Sequence, residues 1–136
     1  MVRPIIKDVI FLARKSVPAA KDDICVINDL RDTLAANREH CIGMAANMIG
    51  VSKRIIIVST ELGDIVMVNP QIISKSGKYE TQEGCLSLVG VRNVTRFYNI
   101  EVRYNDDKFI AHKGKFSGLT AQIIQHECDH LEGIII

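Results

Sequence analysis

Apolar residues recur at helical spacing in two segments of the chain. The first segment covers residues 21–39, with Asp22 as its candidate N-cap. The second covers residues 119–131 and lies between a candidate cap, Ser117, and a candidate stop, Gly133. The apolar positions of the first segment are Ile24, Ile27, Leu30 and Leu34. Steps of three and four residues place such side chains on one face, so both segments are predicted to be amphipathic α-helices.

Runs rich in β-branched residues lie between the two helical segments and predict strands. These runs cover residues 54–59, 65–68 and 71–79. Asn69-Pro70 is predicted to end the second run, and Gly77 is predicted to form a bulge in the third.

A hairpin and a last short strand are also predicted. Residues 99–104 and 108–113 alternate in polarity on either side of Asn105-Asp106-Asp107, a pattern typical of a hairpin. The apolar residues 134–136 predict a short strand or strand-like tail. Strands followed by one central helix predict an α+β fold. The length of 136 residues and the 47% hydrophobic content indicate a single domain over residues 1–136 with a real core.

The charge balance narrows the classes of partner and the location. The 17 basic and 16 acidic residues give a net charge of +1, so no nucleic-acid partner is expected. The chain has no run of eighteen apolar residues, and charges interrupt its N-terminal apolar pairs. We therefore expect neither a membrane span nor a secretory signal, and we expect a cytoplasmic protein.

The second predicted helix carries the sequence His-Glu-Cys-Asp-His at residues 126–130. Two histidines four residues apart lie on one helical face, where His126 and His130 can bind one metal ion with Glu127 beside them as a proton acceptor. The pattern alone also allows two histidines bonded to core carbonyls, or the zinc site of an endopeptidase. Only six residues follow His130, so a third protein ligand must come from upstream.

The cysteines supply a candidate for that third ligand. Cys128 points away from the two histidines on the helix, and Cys25 is expected to be a small core residue. Cys85 lies in Glu-Gly-Cys-Leu-Ser, residues 83–87, where Gly84 lets the backbone turn. A thiolate with two imidazoles makes a three-ligand site with an open fourth position, which is typical of a catalytic metal ion.

With these residues in place, the chain resembles the peptide deformylase family. That family carries the motifs G-x-G-x-A-A-x-Q, E-G-C-x-S and Q-H-E-x-D-H. The second is complete at residues 83–87 and the third at residues 125–130, in the same order and with similar spacing. The resemblance covers nearly the whole chain. It implies an α+β fold with mixed or antiparallel sheets around a central metal-bearing helix.

The resemblance also implies a reaction: a metal-dependent hydrolase removes the formyl group from the N-terminal formyl-methionine of nascent peptides. The implied metal ligands are Cys85, His126 and His130. The implied ion is Fe²⁺ in the cell, with Zn²⁺ or Ni²⁺ in preparations. Glu127 is the implied general base and acid, and the Leu86 N–H is an implied donor to the developing oxyanion.

Substrate binding is implied at five further positions: Gly43, Met44, Met48, Gly84 and Arg92. Gly43 and its neighbours lend backbone hydrogen bonds to an extended peptide, and Arg92 lies along the cleft. Many relatives continue into a C-terminal helix, so this chain resembles a short form. No feature of the sequence supports association with the ribosome.

The first motif departs from the family pattern at two positions. Met48 replaces the Gln that is understood to donate to the oxyanion, and a thioether has no hydrogen to donate. Loss of one such donor costs about 10²–10³-fold in turnover. Asn47 is expected to keep its ordinary family place and not to substitute for this Gln. Cys41 replaces the first Gly, and packing is the expected role of its side chain, ahead of narrowing the cleft.

These departures leave two functions open. The first is a deformylase, active or weakened at its oxyanion donor. The second is a catalytically degenerate relative that keeps the metal and cleft and binds formyl-peptides or another ligand without turnover. Met48 and Cys41 favour the second, whereas Glu127 favours the first, because a proton acceptor has little structural value in a binding module.

Overall fold

The computed structural model describes residues 1–85 and 88–134. Its helices are α1 (Val9–Leu12), α2 (Ile24–Ala36) and α3 (Gly118–Leu131), with single 3₁₀ turns at Lys21–Asp23 and Ala46–Ile49. Its strands are β1 (Gly43–Ala45), β2 (Ile55–Thr60), β3 (Gly63–Cys85), β4 (Leu88–Asn105) and β5 (Ala111–Ser117). Within the described chain, no helix is long and apolar enough to cross a membrane.

The five strands form one sheet in the order β1-β2-β3-β4-β5, and each neighbouring pair is antiparallel. Helix α3 packs against β1, β2 and β4. The predicted α+β fold, with a sheet beside one central helix, is confirmed.

Strand β2 begins with a continuous apolar run because both of its faces are buried there. Ile55 and Ile57 face a core cluster that includes α2, whereas Ile56 and Val58 face a second cluster that includes α3. Because successive side chains of a strand point to opposite faces, a strand covered on both sides must be apolar at every position. The second cluster holds α3 against the sheet, and α3 carries the His-Glu-Cys-Asp-His segment.

The first helix is shorter in the structure than the segment predicted from the apolar spacing. It begins with the 3₁₀ turn and ends at Ala36, instead of covering residues 21–39. Asp22 does not cap it. The Asp23 carboxylate accepts a hydrogen bond of 2.8 Å from the Ala20 N–H. Cys25 is exposed, so its predicted place in the core is wrong.

The two predicted strands at residues 65–68 and 71–79 are parts of one strand, β3. Its pairing with β4 shifts register between Val68 and Gln71, so Pro70 lies at a bulge, where its missing N–H breaks no ladder bond. Gly77 has a φ of 77° but the register is unbroken around it, so the predicted bulge there is wrong.

The predicted hairpin is confirmed as the β4–β5 connection, but its second strand is Ala111–Ser117 and not residues 108–113. The Asp106 carboxylate accepts from the N–H groups of Lys108 and Ile110, at 2.8 and 3.0 Å, which closes the turn. Ser117 precedes α3, as predicted, although its hydroxyl makes no capping bond, and Gly133 ends the helix with a φ of 76°. Ile134 lies in no strand, and the rest of the predicted last strand lies outside the described residues.

Candidate active site

Three predicted ligands meet where the end of β3 approaches α3. Cys85, His126 and His130 each offer a ligand atom, and these atoms all lie within 4.8 Å of one another. The Nε2 atoms of the two histidines are 3.0 Å apart. In a tetrahedral site with bonds of about 2.0–2.3 Å, ligand atoms lie roughly 3–4 Å apart. The soft thiolate and two imidazoles therefore fit a single divalent ion.

Glu83 orients one of these imidazoles. The His126 Nδ1 atom lies 2.7 Å from the Glu83 carboxylate, which leaves Nε2 to face the other ligands. Gln122 donates to the same carboxylate at 2.9 Å. Burial opposes ionisation of Glu83, but hydrogen bonds from His126 and Arg96 lower its pKa to about 2. Glu83 therefore stays ionised at neutral pH and holds the His126 ring in one orientation.

A buried arginine joins this carboxylate to the helix. Arg96 on β4 donates two hydrogen bonds to Glu83, of 2.9 and 2.7 Å, and one of 2.7 Å to Asp129. Only 4% of Arg96 is exposed. Sequence reasoning missed Arg96, Gln122 and their contacts, although Glu83 and Asp129 both lie in recognised motifs. A single charged residue in the sequence does not indicate which carboxylates, remote in sequence, it will pair with.

Glu127 lies beside the convergent ligands without a full set of partners. It is 4% exposed, and among the described residues no hydrogen-bond partner reaches its Oε1 atom. Burial raises the pKa of Glu127 to about 7. A buried carboxyl group poised near neutrality and free on one oxygen is suited to accept and return a proton.

A cavity of about 480 Å³ opens onto these groups. Cys85, His126 and Glu127 form its polar side, and Ile42, Leu119 and Ile123 contribute apolar surface. Leu119 shares a helical face with Ile123 and His126, and helical spacing predicts that this face is buried. Leu119 is nevertheless 63% exposed, so the prediction is wrong for this residue. The cavity can take a ligand that has both a polar reacting group and an apolar side chain.

The predicted substrate-binding residues differ in position. Gly43, Met48 and Gly84 line the cavity. Met44 does not; its side chain is fully buried in the cluster that includes α2. Arg92 lies in β4 opposite Glu83 in the ladder, outside the set of described residues that line the cavity. Leu86, the predicted oxyanion donor, lies outside the described residues.

The first motif brings no side-chain amide to the cavity. The Asn47 amide donates to the His130 carbonyl at 2.9 Å, and Asn47 is fully buried away from the lining. Asn47 therefore does not take the place of the missing Gln. Met48 is 1% exposed and is one of the residues that line the cavity. Cys41 packs against the α2 cluster, as predicted, and also lines the cavity.

An α+β fold that brings two helical histidines, a strand cysteine and a buried glutamate together beside a cavity is the arrangement of a metal-dependent hydrolase. The family model described as polypeptide deformylase matches residues 4–136. The chain belongs to the peptide deformylase family.

Relatives and solved structures agree with this assignment. A peptide deformylase from Clostridium beijerinckii is 55% identical over 136 residues, which is 100% of both chains. The structure of the peptide deformylase from Thermus thermophilus matches with a TM-score of 0.89 and 33% identity, over 98% of this chain and 83% of that one. The Met-Ala-Ser-bound class I type b enzyme from Acinetobacter baumannii matches with a TM-score of 0.89 and 29% identity, over 99% and 97%.

Proposed function

We propose that this protein hydrolyses the formyl amide of N-terminal formyl-methionine on nascent peptides. The observation that carries the proposal is the Glu127 carboxyl group, buried at the cavity with Oε1 unpartnered among the described residues and next to three convergent ligand atoms. Burying a carboxyl oxygen without a hydrogen-bond partner costs stability, and groups kept at such a cost are typical of catalytic sites. The names of the relatives support the same reaction.

We propose Cys85, His126 and His130 as the protein ligands of one divalent ion, with Fe²⁺ as the ion in the cell and Zn²⁺ or Ni²⁺ as replacements in preparations. When bound, such an ion lowers the pKa of a water molecule and polarises the formyl carbonyl. The hydrogen bond between Glu83 and His126 Nδ1 fixes the His126 tautomer, and Arg96 donates a hydrogen bond that keeps the Glu83 carboxylate in place. The chain thus supplies an already oriented ligand set.

The side chains then have distinct roles in the reaction. Glu127 accepts a proton from the attacking water as the new C–O bond forms. The Leu86 N–H donates to the oxygen that becomes negative, which is a proposal for a residue outside the described part of the chain. Glu127 returns the proton to the leaving nitrogen as the C–N bond breaks. The products are formate and a peptide with a free amino group.

Peptide binding is proposed along the backbone of Gly43 and Met44, with Gly84 and Met48 in the wall and Arg92 beside the cleft. We propose that residues 1–136 act as one domain in the cytoplasm, on formyl-methionyl peptides, with no nucleic-acid or membrane partner. No contact of the described residues favours docking to the ribosome.

The deciding experiment measures formate release from formyl-Met-Ala-Ser by the iron-loaded protein under anaerobic conditions. The parent and its Met48→Gln variant are compared, with the metal content of both determined by mass spectrometry. Because the Gln amide restores a donor at the cavity wall, we expect turnover by the parent and an increase of about 10²-fold in kcat in the variant.

The outcomes separate the two functions. Turnover by the parent establishes the enzyme. If the metal-loaded parent shows no turnover and the Met48→Gln variant does, the protein is a degenerate relative that binds formyl-peptides or another ligand. The observation that favours this second function is the position of Met48 in the cavity wall. Silence in both forms at full metal occupancy contradicts the proposed reaction.

A Gly43→Ala substitution is expected to reduce kcat by at least about tenfold, since displacements near 1 Å can cost 10²-fold. A Cβ on Gly43 would lie 2.6 Å from Ile123 Cγ2 and 3.0 Å from Glu127 Oε2, so the proposed base must move. Gly84→Ala is the matched control, because its Cβ would meet nothing closer than 3.4 Å. Equal kcat values for the two variants would contradict the argument.

A further inference from the structure

The two histidines of α3 are held in different ways. Glu83 orients His126 through its ring, whereas Asn47 bonds the backbone of His130. His130 is the last residue but one of α3. Backbone carbonyls in the last turn of a helix lack helical donors, and such ends fray unless other groups bond them. A metal ligand in the last turn therefore needs support that His126, one turn earlier, does not.

The carbonyl of His130 has that support from two donors. It accepts from the Gly133 N–H at 3.0 Å and from the Asn47 amide at 2.9 Å. Asn47 lies in the 3₁₀ turn after β1, and the next residue, Met48, lines the cavity. The Asn47 bond thus ties the end of α3 to a segment that forms the cavity wall.

Asn47 makes this bond at a cost to stability. Its partner is a carbonyl, so the NH₂ group of the amide must face it and the amide oxygen faces elsewhere. Asn47 is fully buried, and no hydrogen-bond partner in the described part of the chain reaches its Oδ1 atom. The gain from one neutral hydrogen bond is no larger than the cost of one buried polar atom without a partner. Asn47 therefore adds little to the stability of the domain, and the effect of its amide is local.

We propose that Asn47 is a positioning residue, which fixes the end of α3 through the His130 carbonyl so that the His130 ring stays in register with Cys85 and His126. The inference rests on the proposed function, in which His130 is a metal ligand. A ligand set works only when each donor atom is held within about 0.5 Å of its position. The Nε2 atoms of His126 and His130 are 3.0 Å apart, and opening of the last turn would move one of them.

Two substitutions remove the amide in different ways. Asn47→Leu keeps the branched shape of the side chain without its polar atoms, and Asn47→Ala adds no bulk. Competition between the Zn²⁺-loaded protein and a coloured zinc chelator measures the affinity for the metal. We expect the Kd for Zn²⁺ to rise by about 10- to 100-fold in both variants, the range for losing a group that holds a metal ligand in place.

Two further measurements report the geometry of the site and of the helix end. The visible absorption of Co²⁺ bound in place of Zn²⁺ depends on the arrangement of its thiolate and imidazole donors, and we expect it to shift in both variants. The Gly133 N–H shares the His130 carbonyl with Asn47. In the metal-loaded variants this amide should exchange its hydrogen about two- to tenfold faster, the range of one net hydrogen bond.

Thr33→Val is the matched control. Thr33 is also fully buried, and its hydroxyl accepts from the Arg3 N–H at 2.9 Å, but it lies on α2 outside the cavity lining. This change removes a buried polar contact far from α3. It should leave the Zn²⁺ affinity and the Co²⁺ spectrum unaltered whatever it does to the midpoint of thermal unfolding, which is measured for all three variants.

Turnover of formyl-Met-Ala-Ser adds a separate readout. Both Asn47 variants should lower kcat and leave KM within about twofold of the parent, because Asn47 does not line the cavity. The proposal is overturned if both variants keep the parental Zn²⁺ affinity and Co²⁺ spectrum. It is also overturned if neither variant folds, since Asn47 would then serve the stability of the whole domain. Failure of the proposed function would appear separately, as absent formate release by the metal-loaded parent and its Met48→Gln variant.

Discussion

Replacing Glu127 with Gln is expected to lower kcat for formate release by about 10²–10⁴-fold, the usual contribution of a general acid–base group. Gln has nearly the same size and shape but cannot accept a proton on its amide. Because Glu127 is not among the three convergent ligands, the variant should bind metal with the same stoichiometry. Steady-state kinetics and metal analysis on the same preparation measure both quantities.

The control for this prediction is Glu80→Gln, which makes the same chemical change on the exposed face of β3 and should leave kcat unaltered. Neutralising a buried carboxyl group whose Oε1 atom has no partner in the described part of the chain should not reduce stability. A metal-loaded Glu127→Gln variant with parental turnover would exclude Glu127 as the proton acceptor. Loss of the metal together with turnover would instead place Glu127 in the binding of the ion.

Replacing Arg96 with Met is expected to lower the free energy of unfolding by about 3–5 kcal/mol, the range for breaking one side of a buried ion pair. The substitution removes both hydrogen bonds that Arg96 donates to the buried Glu83 carboxylate. It also removes the hydrogen bond from Arg96 to Asp129. Urea denaturation followed by circular dichroism measures the loss. Arg96→Lys should recover little of it, because an ammonium group cannot reproduce the planar fork.

Arg38→Met is the matched control for Arg96. Arg38 also donates to a carboxylate through two nitrogens, at Asp64, but 48% of its side chain is exposed. Exposed pairs of this kind contribute little, so the control should lose much less stability than Arg96→Met. Similar losses in the two variants would mean that burial of Arg96 does not determine its contribution.

The secondary structure was predictable wherever one local rule acted alone. The α3 segment and the β4–β5 hairpin follow directly from helical spacing and from the Asn-Asp-Asp turn. The prediction of a strand end at Asn69-Pro70 was wrong. The Asn69 side chain instead bonds both backbone groups of Ala19, and the bulge accommodates Pro70 within one strand. Contacts 50 residues apart in sequence decided this, and no local pattern contains them.

The sequence by itself predicted the three side chains that the structure brings together as candidate ligands. Two histidines four residues apart on a helix face the same way whatever the rest of the fold does, because helical geometry is local. The Glu-Gly-Cys-Leu-Ser segment added a thiolate of the right type for the same ion. The resemblance to the peptide deformylase family rested on these two segments, and family membership is confirmed.

Only the tertiary structure decided how these groups are held and what surrounds them. The packing of α3 on the sheet brings Cys85 to the histidines and places Arg96 between Glu83 and Asp129. It also leaves Leu119 exposed at the cavity. Ion pairs, burial and cavity shape depend on distances between segments that are remote in sequence, and those distances are set by the packed core.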